Sequence, residues 1–324
     1  MKIVVSHALY RDGMDALQGH GDIVVPGNGD SDVIIDQLRD ADAYILRIGK
    51  IDRKAIEQCP NLKVITRPGV GYDSVDVAAA TEHGIPVVLC MSANARAVAE
   101  HTLAMLFALS KNLVESVNET KADNYNIRNK FAAVELFGKT VSIIGFGNIG
   151  KQVAAMCCGM GMSVAAYDPF VSQEVVEALG CTYCATLEEA LALGDFITLH
   201  MPSMPETRNL ISAPQLRMMK PSAFLLNAAR GDIIDEPALC AALDAGALAG
   251  AGMDVLVCDP PERENPLFGH PNVIITPHMA AQTKETASKL ALLAVEGTLA
   301  VLAGEKWAHV ANPDVYNHPR WADK

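Results

Sequence analysis

No stretch of the 324 residues approaches the ~18 consecutive apolar residues of a membrane helix, although half of the chain is hydrophobic. The opening Met1-Lys-Ile-Val-Val-Ser-His reads as a first strand and lacks the apolar segment of a signal peptide, so a cytoplasmic location is expected. Positive charge is scarce as well. Against 38 Asp and Glu stand 26 Lys and Arg, a formal net charge of −12. This balance argues against nucleic acid or anionic membrane as partners, while a small anionic substrate needs only a locally positive pocket. The eight cysteines form no disulfide framework. Cys157-Cys158 suits helix packing. Cys181-Thr-Tyr-Cys184 has the spacing of a redox or zinc site but lacks a second cysteine pair or a nearby histidine pair. Buried free thiols, and no metal, are the expectation.

What the sequence does contain is organised around Thr140-Val-Ser-Ile-Ile-Gly145-Phe-Gly147-Asn-Ile-Gly150. The apolar run Val141–Ile144 reads as a buried strand that ends directly in Gly-x-Gly-x-x-Gly, with a helical pattern from Asn148. Gly145 permits the tight turn, Gly147 lets backbone approach a pyrophosphate, and Gly150 lets the helix pack against the strand. The helix N-terminus offers N–H groups and partial positive charge to that pyrophosphate. Ser163–Tyr167 is the next strand, and Asp168 at its end stands where an acid accepts hydrogen bonds from an adenosine ribose. Together these features predict a dinucleotide site.

Nearly half of the chain precedes this fingerprint, and its length suits two domains. Strands are expected at Lys2–Ser6, Ile23–Val25, Ala43–Arg47, Lys63–Arg67 and Pro86–Leu89, with helices near 12–19, 32–40, 53–59 and 74–83. Such βα repeats predict an α/β, flavodoxin-like domain with a parallel sheet. From Asn94 a long helix is expected, apolar on most faces, which suits burial at a domain or subunit interface. The polar stretch 111–130 follows. Beyond Asp168, Thr186-Leu-Glu-Glu189 fits a capping box. Further strands are expected at Phe196–His200, Ala223–Ala229, Gly250–Val255 and Val273–Thr276, then a helix over 282–303 and a tail of little periodicity. The expected division is 1–95 plus 285–324 as substrate domain and 96–284 as a Rossmann domain, with ligands beyond the strand ends in a cleft between them.

Three stretches at strand ends carry chemistry: Asn227-Ala-Ala-Arg230, Asp254-Val-Leu-Val-Cys-Asp259-Pro, and Thr276-Pro-His278. Hydride transfer between a nicotinamide and a carbonyl needs an acid for the carbonyl oxygen and a cation for a substrate carboxylate. His278 suits the first task and Arg230, with its bidentate fork, the second. A carboxylate beside the histidine would favour its charged form. Arg47 and Lys50, past the third strand, either bind a second anionic group such as phosphate or are solvated loop charges.

These motifs resemble the D-isomer-specific 2-hydroxyacid dehydrogenase family over nearly the whole chain. The resemblance rests also on Arg67-Pro-Gly-Val-Gly-Tyr-Asp-Ser-Val-Asp76, Asn94 with Val98-Ala-Glu-His-Thr102, Tyr167-Asp-Pro-Phe170, Leu199-His-Met-Pro-Ser-Met-Pro-Glu-Thr207 and Ala251-Gly-Met-Asp-Val255. It implies an NAD-dependent enzyme acting on small anionic 2-keto or 2-hydroxy acids of the D series. By the same resemblance Arg230 binds the carboxylate and polarises the keto oxygen, His278 is acid and base, and the position of Asp259 holds the histidine's partner. Val70 and Gly71 would grip the substrate carboxylate through backbone N–H groups. Asn148, Ile149, Asp168, His200, Met201, Pro202, Thr207, Ala228, Ala229, Arg230, Asp254, His278, Met279, Ala280 and Ala281 would line the cofactor, which Thr102 would reach from the long helix. The resemblance further implies a homodimer through the helix near 95–110, a first domain completed by the C-terminal segment, and hinges near 94 and 285.

One position departs from the family pattern. Its usual Glu-Pro is Asp259-Pro here, and Glu262, three residues on, is an alternative partner for His278. Two other readings compete with the general one. The first is a dedicated phosphoglycerate dehydrogenase, for which the absence of a domain after residue 324 predicts no serine-type feedback. The second is an NAD-sensing co-repressor, a non-enzymatic use of the same fold.

Overall fold

The computed structural model describes residues 1–91 and 93–322. Positions 92, 323 and 324, which the expected first domain includes, lie outside the described residues. The chain forms two compact units, Met1–Asn94 with Gln282–Lys324, and Ala95–Ala281.

The first unit is built on β1 (Lys2–Val5), β2 (Asp22–Val24), β3 (Ala43–Ile45), β4 (Val64–Arg67) and β5 (Val87–Leu89), all parallel in the order β2-β1-β3-β4-β5. This is the flavodoxin-like order, in which each short apolar run is covered on both faces by crossover helices. Two of those helices begin at aspartates, Asp52 and Asp76, whose carboxylates accept from the amides of Ala55 and Ala79. The helix Lys284–Leu302 returns to this sheet, so the unit is assembled from both ends of the chain. Past that helix the backbone runs antiparallel beside β5: Leu89 N donates to His309 O at 2.9 Å and Ala311 N to Val87 O at 2.8 Å. This covers a sheet edge that would otherwise offer unpaired amides. The tail lacks periodicity because two short 3-10 turns, Pro313–Asn317 and Pro319–Trp321, shape it. It is nonetheless packed: Trp321 is buried and its indole donates to Gly84 O.

The second unit carries β6 (Thr140–Ile144), β7 (Ser163–Tyr167), β8 (Thr182–Tyr183), β9 (Phe196–Leu199), β10 (Phe224–Asn227), β11 (Gly250–Met253) and β12 (Val273–Ile275). They form one parallel sheet in the order β12-β11-β10-β9-β6-β7-β8. Strand order reverses between β6 and β9, and a doubly wound sheet places its ligand at the carboxyl ends of such a pair. The helix Ala95–Ser110 packs on β10, β11, β12 and the helix Asn148–Gly159, burying nine residues that include Ala99, Thr102 and Met105. After it comes the polar stretch 111–130. A helix spans Leu113–Lys121 and a 3-10 turn Tyr125–Lys130, neither with a buried residue. The short apolar stripe of the helix, Leu113, Val114 and Val117, stays exposed within this chain. The capping box at Thr186 forms with a shift: its hydroxyl accepts from Glu189 N, while Glu189 reaches the amide of Ala185, one residue earlier than expected.

Candidate active site

The fingerprint folds as its residue types require. Gly145 has φ +95°, where an L side chain is strained, and a Cβ there would lie 2.7 Å from the backbone of His200. A Cβ on Gly150 would approach Gly145 O to 2.3 Å, so the helix could not sit so close to the turn. Gly147 differs from both, because a Cβ there would meet nothing within 4 Å. It is the N-cap of Asn148–Gly159 and, being glycine, brings no side chain of its own to that end. Open space therefore lies directly above a 12-residue helix N-terminus, a cradle that fits the pyrophosphate of a dinucleotide. At the end of β7, Asp168 is locked by two amides: Phe146 N donates to one carboxylate oxygen and Phe170 N to the other, each at 2.8 Å. The acid is held against the glycine turn with a lone pair of each oxygen left for a ribose hydroxyl.

His200, Met201 and Pro202 follow β9, directly across the switch point from this turn. His200 is half-buried as a residue, yet its Nδ1 is shielded from solvent and has no hydrogen-bond partner, while Nε2 lies 2.9 Å from Thr198 Oγ1. Burial pushes its pKa down to about 3, so the ring is neutral at neutral pH. Thr207 closes the following turn: its hydroxyl donates to Pro202 O and accepts from Met204 N, both at 2.8 Å.

Arg230 stands three residues beyond β10. Buried Asn227 fixes that excursion by accepting from Ala229 N at 3.0 Å and donating to Arg230 O at 2.8 Å. Ala228 and Ala229 are half-buried between them, and one guanidinium nitrogen of Arg230 donates to Ala229 O. The next residue, Gly231, abuts the segment after β11. A Cβ there would sit 2.0 Å from the carbonyl of Leu256.

Two aspartates follow β11 and have opposite surroundings. Asp254 is 1% exposed and accepts from Thr276 Oγ1 (2.6 Å), Met279 N (2.9 Å) and Ala280 N (2.9 Å), with His101 Nε2 at 3.4 Å. Burial opposes its ionisation. The hydrogen bonds from His101, Thr276 and the two amides outweigh that and hold the carboxyl below its usual range. Its backbone oxygen also accepts from His278 N at 2.8 Å. His278 needs that support, since it adopts φ 51°, a left-handed conformation uncommon outside glycine. Asp259 lies on the exposed loop that follows, and its carboxylate is 2.7 Å from His278 Nδ1. The aspartate itself thus meets the imidazole directly, without Glu262. The pair lines a cavity of about 270 Å³ with Leu256, Phe268 and Ile275.

Other expected site residues are placed differently. Thr102 is fully buried, and its hydroxyl donates back to Val98 O within its own helix. Met279 is exposed, Ala280 buried and Ala281 intermediate. Arg47, Val70 and Gly71 belong to the first unit. There Arg47 donates to Ala8 O, and Arg67 donates to Gly71 O, holding the loop past β4. Three supporting residues have no role assigned from the sequence: His101 and Asn227, which stand inside the quoted motifs, and Glu236. The last is a buried acid at the start of helix Glu236–Asp244, where it looks like ordinary first-turn charge. Cys181 and Cys184 flank β8 as buried free thiols, and burial raises both, Cys181 to about 11.

Comparison with known proteins agrees with this arrangement. Residues 103–280 match the model of the D-isomer specific 2-hydroxyacid dehydrogenase NAD-binding domain. The chain is 38% identical over 313 residues to D-3-phosphoglycerate dehydrogenase of Methanocaldococcus jannaschii, covering 96% of this chain and 59% of that one. It spans about half to three-fifths of the length of the curated relatives it matches. Among solved structures, the NAD-dependent formate dehydrogenase of Staphylococcus aureus superposes with TM-score 0.85 at 30% identity, covering 95% and 97% of the two chains. The NADPH-dependent glyoxylate/hydroxypyruvate reductase of Sinorhizobium meliloti superposes with TM-score 0.86 at 28% identity, covering 96% and 98%. With its glycine turn, its doubly hydrogen-bonded Asp168 and its strand-end histidine, the chain belongs to the D-isomer specific 2-hydroxyacid dehydrogenase family.

Proposed function

We propose that the protein interconverts small 2-keto acids and D-2-hydroxy acids with NAD as redox partner. The observation that carries this reading is the Asp259–His278 pair at the carboxyl end of the sheet whose switch point bears the glycine turn and Asp168. When bound, NAD supplies or accepts the hydride. The chain's own residues then have three tasks. Arg230 holds the substrate carboxylate through its planar fork. His278, with Nδ1 engaged by Asp259, exchanges a proton with the substrate oxygen through Nε2. Asp259 keeps the ring oriented and stabilises its charge, the part played by the third member of a catalytic triad. Arg47, Val70 and Gly71 are the proposed substrate contacts of the first unit.

NAD is favoured over NADP, although the compared reductase uses NADPH. Asp168 presents negative charge where a 2′-phosphate would lie, and Pro169-Phe170 supplies no arginine to neutralise it. Efficiency with NAD should exceed that with NADP by at least about tenfold in kcat/KM, or ~1.4 kcal/mol. A homodimer is also proposed. The helix Ala95–Ser110 is mostly covered within its unit, but its Phe107, together with Leu113, Val114, Val117, Tyr125 and Phe131 just beyond it, exposes apolar surface. Cytoplasmic residence accords with eight free cysteines and with no described helix long and apolar enough to cross a membrane.

The deciding experiment is NADH oxidation over a panel of 2-keto acids, phosphorylated members included. Turnover of several unphosphorylated acids supports the general reading. Turnover confined to 3-phosphohydroxypyruvate would make this a dedicated phosphoglycerate dehydrogenase, as the names of the curated relatives suggest. No turnover with any would refute catalysis and leave an NAD-binding protein.

A further inference from the structure

We propose that Glu236 is the positioning residue that lets the shorter Asp259 serve where the family pattern has glutamate. The inference rests on the reading of Asp259–His278 as the acid–base pair. Aspartate has one methylene fewer, so on an unmoved backbone its oxygens would fall more than about 1 Å short. The carboxylate nevertheless sits 2.7 Å from His278 Nδ1, so the loop backbone itself brings it there.

What holds that loop is visible on both sides of Asp259. Glu236 is 9% exposed, at the start of helix Glu236–Asp244. One carboxylate oxygen accepts from Val257 N at 2.6 Å, two residues before Asp259. The other accepts from Asn265 Nδ2 at 2.9 Å, six residues after it. Asn265 is oriented in turn, because its Oδ1 accepts from Leu267 N at 2.9 Å and so cannot exchange places with its amide nitrogen without losing that bond. A single buried carboxylate therefore clasps both ends of an exposed segment that carries the histidine's partner. Gly231 sets the same loop from the other side, through its contact with Leu256. Buried carboxylates this close to backbone N–H groups make charge-assisted bonds, roughly twice as strong as neutral ones.

The test uses two variants of the full chain. Glu236→Gln keeps size and packing but sets its amide against that of Asn265, so one end of the clasp opens. Glu236→Ala opens both. In a crystal structure of Glu236→Gln, the separation of His278 Nδ1 from Asp259 should exceed about 3.5 Å while the seven-stranded sheet superposes on the parent. Turnover should fall roughly tenfold with KM for NADH unchanged, because the acid is misplaced while the cofactor cradle is intact. Adding Asp259→Glu to Glu236→Ala should restore part of the lost kcat, since the longer acid recovers the reach. An unchanged 2.7 Å pair in the Gln variant would overturn the proposal. So would a KM for NADH rising in step with the loss of kcat, or the absence of any rescue by the longer acid. If the parent protein reduces no 2-keto acid, the functional reading fails, whereas the measured separation still decides the role of Glu236.

Discussion

Asp254 and Asp259 stand five residues apart after the same strand, yet one is sealed and the other open. Asp254 is 1% exposed and surrounded by four donors, while Asp259 is 60% exposed with a single imidazole against it. The difference separates two uses of a carboxylate. A buried one with its lone pairs satisfied organises backbone, here the left-handed turn that presents His278. An exposed one adds little to stability and is available to stabilise a charge that comes and goes. The larger the burial, the more the fold depends on the group; the smaller, the more the chemistry does.

Removing Asp254 should therefore give the largest effect. Asp254→Ala leaves Thr276 Oγ1 and the amides of Met279 and Ala280 without their acceptor, at a cost of about 3 kcal/mol or more. Denaturant unfolding should show this together with near-complete loss of turnover. Asp259→Asn should do the opposite, leaving stability within about 1 kcal/mol while lowering kcat on the order of a hundredfold. If Asp259→Asn unfolds the protein and Asp254→Ala merely slows it, the contrast between the two acids is wrong.

Two glycines sharpen the same contrast between what the fold needs and what a ligand needs. Gly231→Ala would drive a methyl group against the carbonyl of Leu256 at 2.0 Å, so the loop bearing Asp259 must move, costing about 1–3 kcal/mol. Gly147→Ala meets no atom within 4 Å and should leave the melting temperature unchanged. Its methyl group instead occupies the space above the helix N-terminus, so NADH should bind roughly tenfold more weakly by calorimetry, ~1.4 kcal/mol. Equal NADH affinity in the Gly147 variant would remove the pyrophosphate from that cradle.

At neutral pH His200 has the smallest effect, because its contribution appears only as a pH dependence in acid. Its folded pKa of about 3 lies below the ordinary value of 6.5, so the unfolded chain binds the proton more readily. Stability is then lost progressively as pH falls below about 6.5 towards 3 and is flat above. Replacement by glutamine should reduce the slope of melting temperature against pH in that window only. An identical slope in both proteins would show that the ring is not kept neutral by burial.

Several of these residues were readable in the chain itself, for a physical reason. Gly145, Gly147, Gly150 and Asp168 are placed by local backbone geometry over a βαβ unit, so strand, turn and acid appear in the sequence in the order they take along that unit. Parallel strands buried on both faces likewise leave contiguous apolar runs, and all but one or two terminal residues of most strands follow from them. The strand-end positions of Arg230, Asp259 and His278 follow from the same periodicity. Tertiary structure decided the rest. That Asp259 reaches His278, that Asp254 faces inward and that Thr102 is covered all depend on side-chain directions set by packing between segments distant in the chain. Glu236 was illegible for that reason: an acid in the first turn of a helix looks like solvent-facing charge until Val257 and Asn265 are folded onto it. Local periodicity encodes elements and their ends; only the folded sheet brings those ends together into a site.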